Sequence, residues 1–143
     1  MDVRALVEGD RNEMLRLLRA MYPDVDPVIE FDELTTQRPG TGVFVIARDD
    51  SALGGYVEIG TRAYAEGCDS SPVAYVEAWY VDDDLRRQGW GSKLFAAAEK
   101  WARSHGLTEI ASDVRIDNPP SIAAHLALGY IEVERIACFA KRL

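Results

Sequence analysis

A short segment with two arginines and two glycines, Arg86–Gly91, contains the residue types that could hold a phosphate. It follows the apolar run Val73–Val81 and precedes a stretch with helical periodicity, so we expect it to join a strand to a helix. A helix start presents unpaired backbone N–H groups and about half a unit of positive charge. Glycines let that backbone approach a pyrophosphate closely. The segment therefore predicts a phosphate loop, although it matches neither the Walker loop nor the dinucleotide fingerprint, and the alternative is a helix start that merely needs glycine.

Two carboxylates are associated with neighbouring apolar runs. Glu77 lies in the middle of Val73–Val81, where a carboxylate is costly unless it is paired or reached by solvent. Asp113 lies near the end of the next apolar run, Leu107–Val114. Together they would bind a polycation, and a carboxylate can take the proton that an amine loses before it attacks a thioester, directly or through water. The alternative is that both acids simply face solvent on a half-buried sheet.

The elements that must position these residues alternate along the chain. A helix is expected to start at Asp10, capped in a box with Glu13, and to end at Pro23. The remaining predicted helices lie within Pro27–Gln37, over Gly89–His105, and from Asn118 to Leu128. The predicted strands are Val3–Val7, Val43–Ala47, Leu53–Ile59, Val73–Val81, Leu107–Val114, and a long strand or hairpin within Tyr130–Lys141, with a turn at Pro39–Gly42 and a polar loop at Thr61–Ser71.

This order predicts an α/β (α+β) fold with helices around one mixed sheet, in one domain of residues 1–143. The net charge is −8, from 16 basic and 24 acidic residues, which disfavours nucleic acid and favours cationic small molecules. No apolar stretch approaches the roughly 20 residues of a membrane helix, and Met1–Ala5 does not resemble a signal peptide. Cys68 and Cys138 lack metal spacing and indicate free thiols in the cytosol.

Two motifs resemble those of the GCN5-related N-acetyltransferases. One is Arg/Gln-x-x-Gly-x-Gly at Arg86–Gly91, and the other is a helix opened by Asn118 and ending in Leu128-Gly129-Tyr130. The resemblance implies acetyl-CoA as co-substrate, with its pantetheine arm in a V-shaped split between the strands Val73–Val81 and Leu107–Val114. The residues that it assigns to the acetyl-CoA site are Trp79, Tyr80, Val81, Arg86, Arg87, Gln88, Gly89, Trp90, Gly91, Ser92 and Asn118.

Nearly the whole chain is similar to the short aminoglycoside 6′-N-acetyltransferases, which confer antibiotic resistance. The similar segments are Tyr75–Val81, Arg86–Gly91, Ala111–Asp113, Ala124–Tyr130 and Glu132–Leu143. The resemblance implies acetyl transfer to the 6′-amine of an aminoglycoside, by a cytoplasmic enzyme that forms a homodimer. It implies an acceptor site made of Tyr22, Tyr64, Glu77, Asp113 and Glu134. From the chemistry that the amine requires, we expect Glu77 to be the catalytic base and Asp113 to orient the amine.

The group that protonates the leaving thiolate stays open. Many relatives in the wider family carry tyrosine four residues before the Leu-Gly-Phe glycine, and this sequence has His125 there. His125 is either that acid or a histidine packed for structure. The splayed strand near Trp79–Val81 offers backbone N–H groups for a tetrahedral oxyanion. Two other functions remain open: acetylation of another amine, such as a polyamine or a peptide N-terminus, and a non-catalytic acetyl-CoA-binding module.

Overall fold

A computed structural model describes residues 1–37 and 40–143, and within them five strands form one sheet in the order β1-β2-β3-β4-β5. Neighbouring strands are antiparallel up to β4, whereas β4 and β5 are parallel, so the predicted mixed α/β sheet is confirmed. The strands are β1 (Asp2–Ala5), β2 (Gly42–Ala47), β3 (Leu53–Arg62), β4 (Val73–Val81) and β5 (Ile110–Ser112). The helices are α1 (Arg11–Met21), α2 (Pro27–Asp32), α3 (Trp90–Ser104) and α4 (Pro119–Ala127), with shorter helical turns at Glu8–Asp10, Glu33–Gln37 and Asp83–Leu85.

Helices cover both faces of the sheet. On one face, α3 buries Leu94, Phe95 and Ala98 against strand residues that include Val57 and Val76. On the other face, α1 packs its apolar stripe against the sheet, and the buried residues there include Met14, Leu17, Leu18, Val45 and Tyr56. The apolar faces that the sequence predicts for α1 and α3 therefore pack against the core. Among the described residues, no helix is long and apolar enough to cross a membrane.

The start of α1 differs from the predicted capping box. The helix begins at Arg11, but the Asp10 side chain does not cap it. That carboxylate instead accepts two hydrogen bonds from Arg4, at 2.7 and 2.9 Å, and one from the Val7 amide at 2.9 Å. Glu13 accepts from the Leu53 amide at 3.1 Å. The prediction of a capping box was wrong because a nearby guanidinium, brought in by β1, is a stronger partner for Asp10 than a helix amide.

A β-bulge interrupts the pairing of β3 with β4 at Glu77. Ile59 lies opposite Val76 and Glu58 lies opposite Ala78, so Glu77 is an extra residue on β4 without a rung of its own. The bulge reverses the alternation of side chains along the strand. Before the bulge, Val76 packs with α3, whereas after it Trp79 packs with α3. Simple alternation in the sequence would not predict this change of face.

The last strand of the sheet is much shorter than the predicted Leu107–Val114. Only Ile110–Ser112 pair with β4, in three rungs that end at Val76 and Ser112. Among the described residues, strand β4 continues to Val81 without a neighbour on that side. The two strands stop pairing after the third rung, and from there on they separate. The predicted split between these strands is thus confirmed, and it opens directly beside Glu77.

The other predicted element boundaries differ from the structure by fewer residues, except at the C-terminal end of the chain. Strand β1 stops at Ala5 rather than Val7, β3 runs through Thr61 and Arg62 into the predicted polar loop, and Pro39 of the predicted turn lies outside the described residues. The predicted strand or hairpin within Tyr130–Lys141 is wrong, because none of these residues is in a strand and all of 131–143 are exposed. A strand needs a partner edge to pair with, and among the described residues the tail pairs with none.

Candidate active site

The loop between β4 and α3 folds back onto the end of β4. The Arg86 guanidinium donates to the Val81 carbonyl oxygen at 2.9 Å and pairs with Asp83 at 2.7 Å. Gly89 has a φ of +84°, and a Cβ built on it would meet nothing within 4 Å. Helix α3 begins at the next residue, Trp90. The N-terminal amides of α3 are therefore next to bare backbone and open space, as a phosphate cradle requires.

Gly91 has a different reason to be glycine. A Cβ at this position would lie 2.6 Å from Cζ2 of the Trp79 indole. The indole cannot move freely, because it packs edge-on against Phe95 with ring centroids 4.5 Å apart. Of the two glycines predicted to line a pyrophosphate, Gly89 leaves space for a ligand and Gly91 leaves space for a side chain of the core.

Trp79 also carries an unusual hydrogen-bond donor. Its Nε1 is buried and has no hydrogen-bond partner among the described residues. Buried polar atoms in native proteins nearly always have partners, so an orphan donor calls for a ligand or water. It lies beside Gly91, next to the part of β4 that has no neighbour on the β5 side among the described residues. The unpaired strand edge and the bare helix start are therefore close together, as an elongated ligand with a phosphate at one end requires.

Both ring nitrogens of His125, on α4, have hydrogen-bond partners. Nδ1 lies 2.8 Å from the Ser121 carbonyl oxygen, which can only accept, so Nδ1 carries a proton. In the neutral ring, Nε2 then accepts from the Ser112 hydroxyl at 2.9 Å. The ring also packs edge-on against Trp79 and Phe95, with centroids 5.4 and 5.3 Å away. Of the two roles left open for His125, these contacts favour the structural one.

Glu77 and Asp113 are joined through two residues that the sequence interpretation missed. Arg62 donates to both carboxylate oxygens of Glu77, at 2.9 and 2.7 Å, and its Cζ lies 3.6 Å from the centroid of the Tyr75 ring. The Tyr75 hydroxyl in turn donates to Asp113 Oδ2. Burial, and then the hydrogen bond to Asp113, raise the pKa of Tyr75, so this hydroxyl keeps its proton. The one signal for Arg62 in the sequence was that a mid-strand Glu77 required a cation.

The remaining predicted acceptor residues are more scattered. Glu134 lies on the exposed tail, and with Asp113, Tyr75 and His125 it lines a cavity of about 690 Å³ that Glu77 does not reach. Tyr64 is 68% exposed on the loop after β3, two residues beyond Arg62. Tyr22 ends α1 and packs with the cluster that contains Tyr56.

The two polar residues assigned to acetyl-CoA outside the loop proper differ in their surroundings. Asn118 accepts from the Ser121 amide at 3.3 Å and so caps α4, as the sequence predicts for a helix start. Ser92 is exposed in the first turn of α3. Asn118 therefore has a structural role of its own, whereas Ser92 lies next to the cradle at the helix start.

The strand split, the glycine loop at a helix start and the carboxylates beside them define an acyltransferase of one known class. The model of the Acetyltransferase (GNAT) family matches residues 11–130, and the chain belongs to this family. Enzymes of this family take their acetyl group from acetyl-CoA.

Three similar proteins of this family are named for a more specific activity. The chain is 40% identical to the aminoglycoside N(6′)-acetyltransferase type 1 of Klebsiella aerogenes, over 99% of this chain and 96% of that protein. A structure of AAC(6′)-Iy in complex with the bisubstrate analogue CoA-S-monomethyl-acetylneamine is 30% identical, with a TM-score of 0.89 over 99% of this chain and 98% of that one. The aminoglycoside 6′-N-acetyltransferase AAC(6′)-Ih from Acinetobacter baumannii is 31% identical, with a TM-score of 0.90 and the same coverage.

Proposed function

We propose that this protein transfers the acetyl group of acetyl-CoA to the 6′-amine of aminoglycosides, by direct attack of the amine, and so confers resistance to these antibiotics. The observation that carries the proposal is the linked pair Glu77 and Asp113 at the point where β4 and β5 separate. Aminoglycosides carry several ammonium groups, which need carboxylates close to the reacting centre. The similarity to three aminoglycoside 6′-N-acetyltransferases over nearly the full chain supports the same substrate class.

The donor side of the site is assigned to the loop and to the unpaired edge of β4. Gly89 and the first amides of α3 hold the pyrophosphate, and the backbone at Trp79–Val81 holds the pantetheine arm. Acetyl-CoA supplies the acetyl group as an activated thioester.

The acceptor side is assigned to the carboxylates. Glu77 takes the proton that the 6′-ammonium must lose before it attacks, because it lies mid-strand at the bulge, beside the opening of the split. Asp113 holds a second ammonium, and the Tyr75 hydroxyl fixes one of its oxygens, which leaves the other free for substrate. Glu134, Tyr22 and Tyr64 complete the pocket in this proposal. The cluster of acids favours a polycation over a peptide N-terminus.

The tail leads us to include a homodimer in the proposal. Ile131, Ile136 and Phe139 are 81%, 63% and 94% exposed, in a segment without secondary structure. Strand β5 pairs on one side only among the described residues, so its outer edge is available to an extended segment. The tail of a second copy, pairing there, would cover these apolar side chains. Sedimentation of the full chain tests this directly: a dimer is expected, and a monomer at micromolar concentration contradicts it.

The proposal treats residues 1–143 as one catalytic domain in the cytoplasm, where Cys68 and Cys138 stay as the free thiols that the structure contains. The decisive experiment measures thiol release from acetyl-CoA with kanamycin, spermidine and a peptide with a free N-terminus. Rapid release with kanamycin is expected, with the product acetylated at the 6′ nitrogen. Turnover of spermidine or the peptide without turnover of any aminoglycoside would overturn the proposal, and tight acetyl-CoA binding without any turnover would favour a non-catalytic module.

A further inference from the structure

The guanidinium of Arg62 lies between the Glu77 carboxylate and the Tyr75 ring. It makes two hydrogen bonds to the Glu77 carboxylate and stacks over the Tyr75 ring, with 3.6 Å between Cζ and the ring centroid. Carboxylate pairing and stacking on an aromatic face are the two interactions with which proteins hold organic cations. The Arg62 guanidinium thus makes the two kinds of contact that an organic cation would make with Glu77 and Tyr75.

The Arg62–Glu77 ion pair is accessible to solvent and to a substrate. The Arg62 side chain is 44% exposed and that of Glu77 is 27% exposed, so water and a substrate both reach the pair. Water that reaches both charges can solvate them once they separate, which lowers the cost of opening the pair compared with a fully buried one. Arg62 is also the last residue of β3, and its backbone pairs with Val73 whichever way its side chain points. The side chain can therefore swing away without breaking the sheet.

A second ion pair in the chain shows the contrast. Arg4 also makes two hydrogen bonds to one carboxylate, that of Asp10, at 2.7 and 2.9 Å. The Arg4 side chain is 37% exposed, but that of Asp10 is only 7% exposed and also accepts from a backbone amide, so this carboxylate is closed to a ligand. Arg4 lies on β1, at the opposite edge of the sheet from β4 and β5. The two pairs match in chemistry and differ in access.

We propose that Arg62 is an internal competitor of the acceptor: its guanidinium occupies the ammonium site on Glu77 and Tyr75 in the free enzyme and is displaced when an aminoglycoside binds. This inference rests on the proposed function. Displacement frees the Glu77 carboxylate to take the proton of the incoming ammonium, so the base is released only when a cation replaces Arg62. Arg62 thereby sets the affinity for the acceptor without taking part in the chemical step.

The test is Arg62→Gln, with Arg4→Gln as the matched control that removes the same charge and the same number of ion-pair bonds. Loss of the competitor should lower KM and the calorimetric Kd for kanamycin by about three- to tenfold, with kcat changed less than about threefold. Arg4→Gln should leave both constants unchanged. Arg62→Lys keeps the charge but lacks the two-pronged fork, so its KM should lie between those of the wild type and Arg62→Gln.

Two comparisons separate competition from a general effect of charge. An acceptor with more ammonium groups, neomycin B, should show the same fold-decrease as kanamycin A, because each displaces one guanidinium; a long-range charge effect would scale with the number of ammonium groups. In a Glu77→Gln background, Arg62→Gln should lower the Kd for kanamycin by a smaller factor than in the wild type, because the contested carboxylate is gone and only the Tyr75 ring remains contested.

The outcomes are distinct. Wild-type turnover of kanamycin together with an unchanged or raised KM in Arg62→Gln would overturn the competitor proposal and leave the proposed function standing. The same holds for a fall in kcat of more than about tenfold without a fall in KM, since that indicates that Arg62 merely positions Glu77. Failure of the wild type to acetylate any aminoglycoside would overturn both.

Discussion

Gly91 lies against the indole of Trp79, so that a Cβ on Gly91 would come within 2.6 Å of the ring. This contact joins the first turn of α3 to the strand edge that borders the split. Trp79 is in turn held by Phe95 and His125 at centroid distances of 4.5 and 5.4 Å. The donor side of the site therefore depends on a packed aromatic cluster as much as on exposed backbone.

The first prediction is that Gly91→Val destabilises the protein. The added side chain must push the indole into a cluster that is already packed, and overpacking of this kind costs about 1–3 kcal/mol. Chemical denaturation measures the loss. Ala96→Val is the control, because Ala96 lies on the exposed side of the same helix and should change stability by less than about 0.7 kcal/mol. Equal stability of Gly91→Val and wild type would show that the indole has room to move.

The second prediction is that Gly89→Asn weakens acetyl-CoA binding without unfolding the protein. Gly89 has a φ of +84°, which asparagine tolerates better than other side chains, and no atom lies near the position of a Cβ. The side chain would project into the cradle instead of into the core. Calorimetry should show a loss of about tenfold or more in acetyl-CoA affinity, or roughly 1.4 kcal/mol. Unchanged affinity in the folded variant would place the pyrophosphate elsewhere.

The third prediction concerns His125. Replacing it with phenylalanine removes the partners of the Ser121 carbonyl and the Ser112 hydroxyl, and each lost bond costs about 0.5–1.5 kcal/mol. We expect a lower midpoint of unfolding and a kcat within about threefold of wild type. A stable His125→Phe variant whose kcat falls more than about a hundredfold would instead identify His125 as the acid for the leaving thiolate.

The elements that local pattern determines were predicted best. Strand β4 has the predicted bounds Val73–Val81, and α3 and α4 differ from their predictions by about a residue at each end. Each combines an apolar period with strong start or stop signals, so few distant contacts are needed to define it. Asn118 capping α4 through Ser121 is such a local signal.

The features that were missed depend on pairing between distant residues. The bulge at Glu77 exists only relative to the register of β3, which no single segment encodes. Arg62 fell in a segment predicted as polar loop, and its role follows from a partner 15 residues away. The tail alternates like a strand, yet it pairs with no strand among the described residues, and alternation alone does not indicate which edge it would join. Sequence reasoning therefore selected Glu77 and Asp113 as candidate site residues, which stays a prediction, but it missed Arg62, which lies beside Glu77.

The fourth prediction concerns pH and the Arg4–Asp10 pair. The hydrogen bonds from Arg4, and to a lesser extent that from the Val7 amide, lower the pKa of Asp10. A carboxyl whose pKa is lower in the folded state stabilises the protein above its unfolded pKa, about 3.9, and loses that effect as the pH falls through the folded pKa. Asp10→Asn should thus cost about 1.5–3 kcal/mol near pH 7, and the difference from wild type should shrink below about pH 4.

Denaturant unfolding at several pH values measures this difference. Asp24→Asn, on the exposed turn after α1, is the control and should follow the wild type at every pH. If Asp10→Asn differs from wild type by the same amount at pH 3 and pH 7, the ionised carboxylate is not what stabilises the pair.

The last prediction concerns the acceptor. A primary amine on the 6′ carbon is unhindered and can enter the split, while the other ammonium groups of the sugar stay near the carboxylates. A charged hydrogen bond of this kind contributes about 1.5–3 kcal/mol, so Asp113→Ala should lower kcat/KM for kanamycin by about ten- to a hundredfold. Glu77→Gln should lower kcat as well, because it removes the base. Kanamycin should be acetylated at the 6′ nitrogen, whereas the analogue with a 6′ hydroxyl should not react. Mass spectrometry and product NMR decide this, and equal turnover of the hydroxyl analogue would disprove the assignment of the 6′ position while leaving acetyl transfer intact.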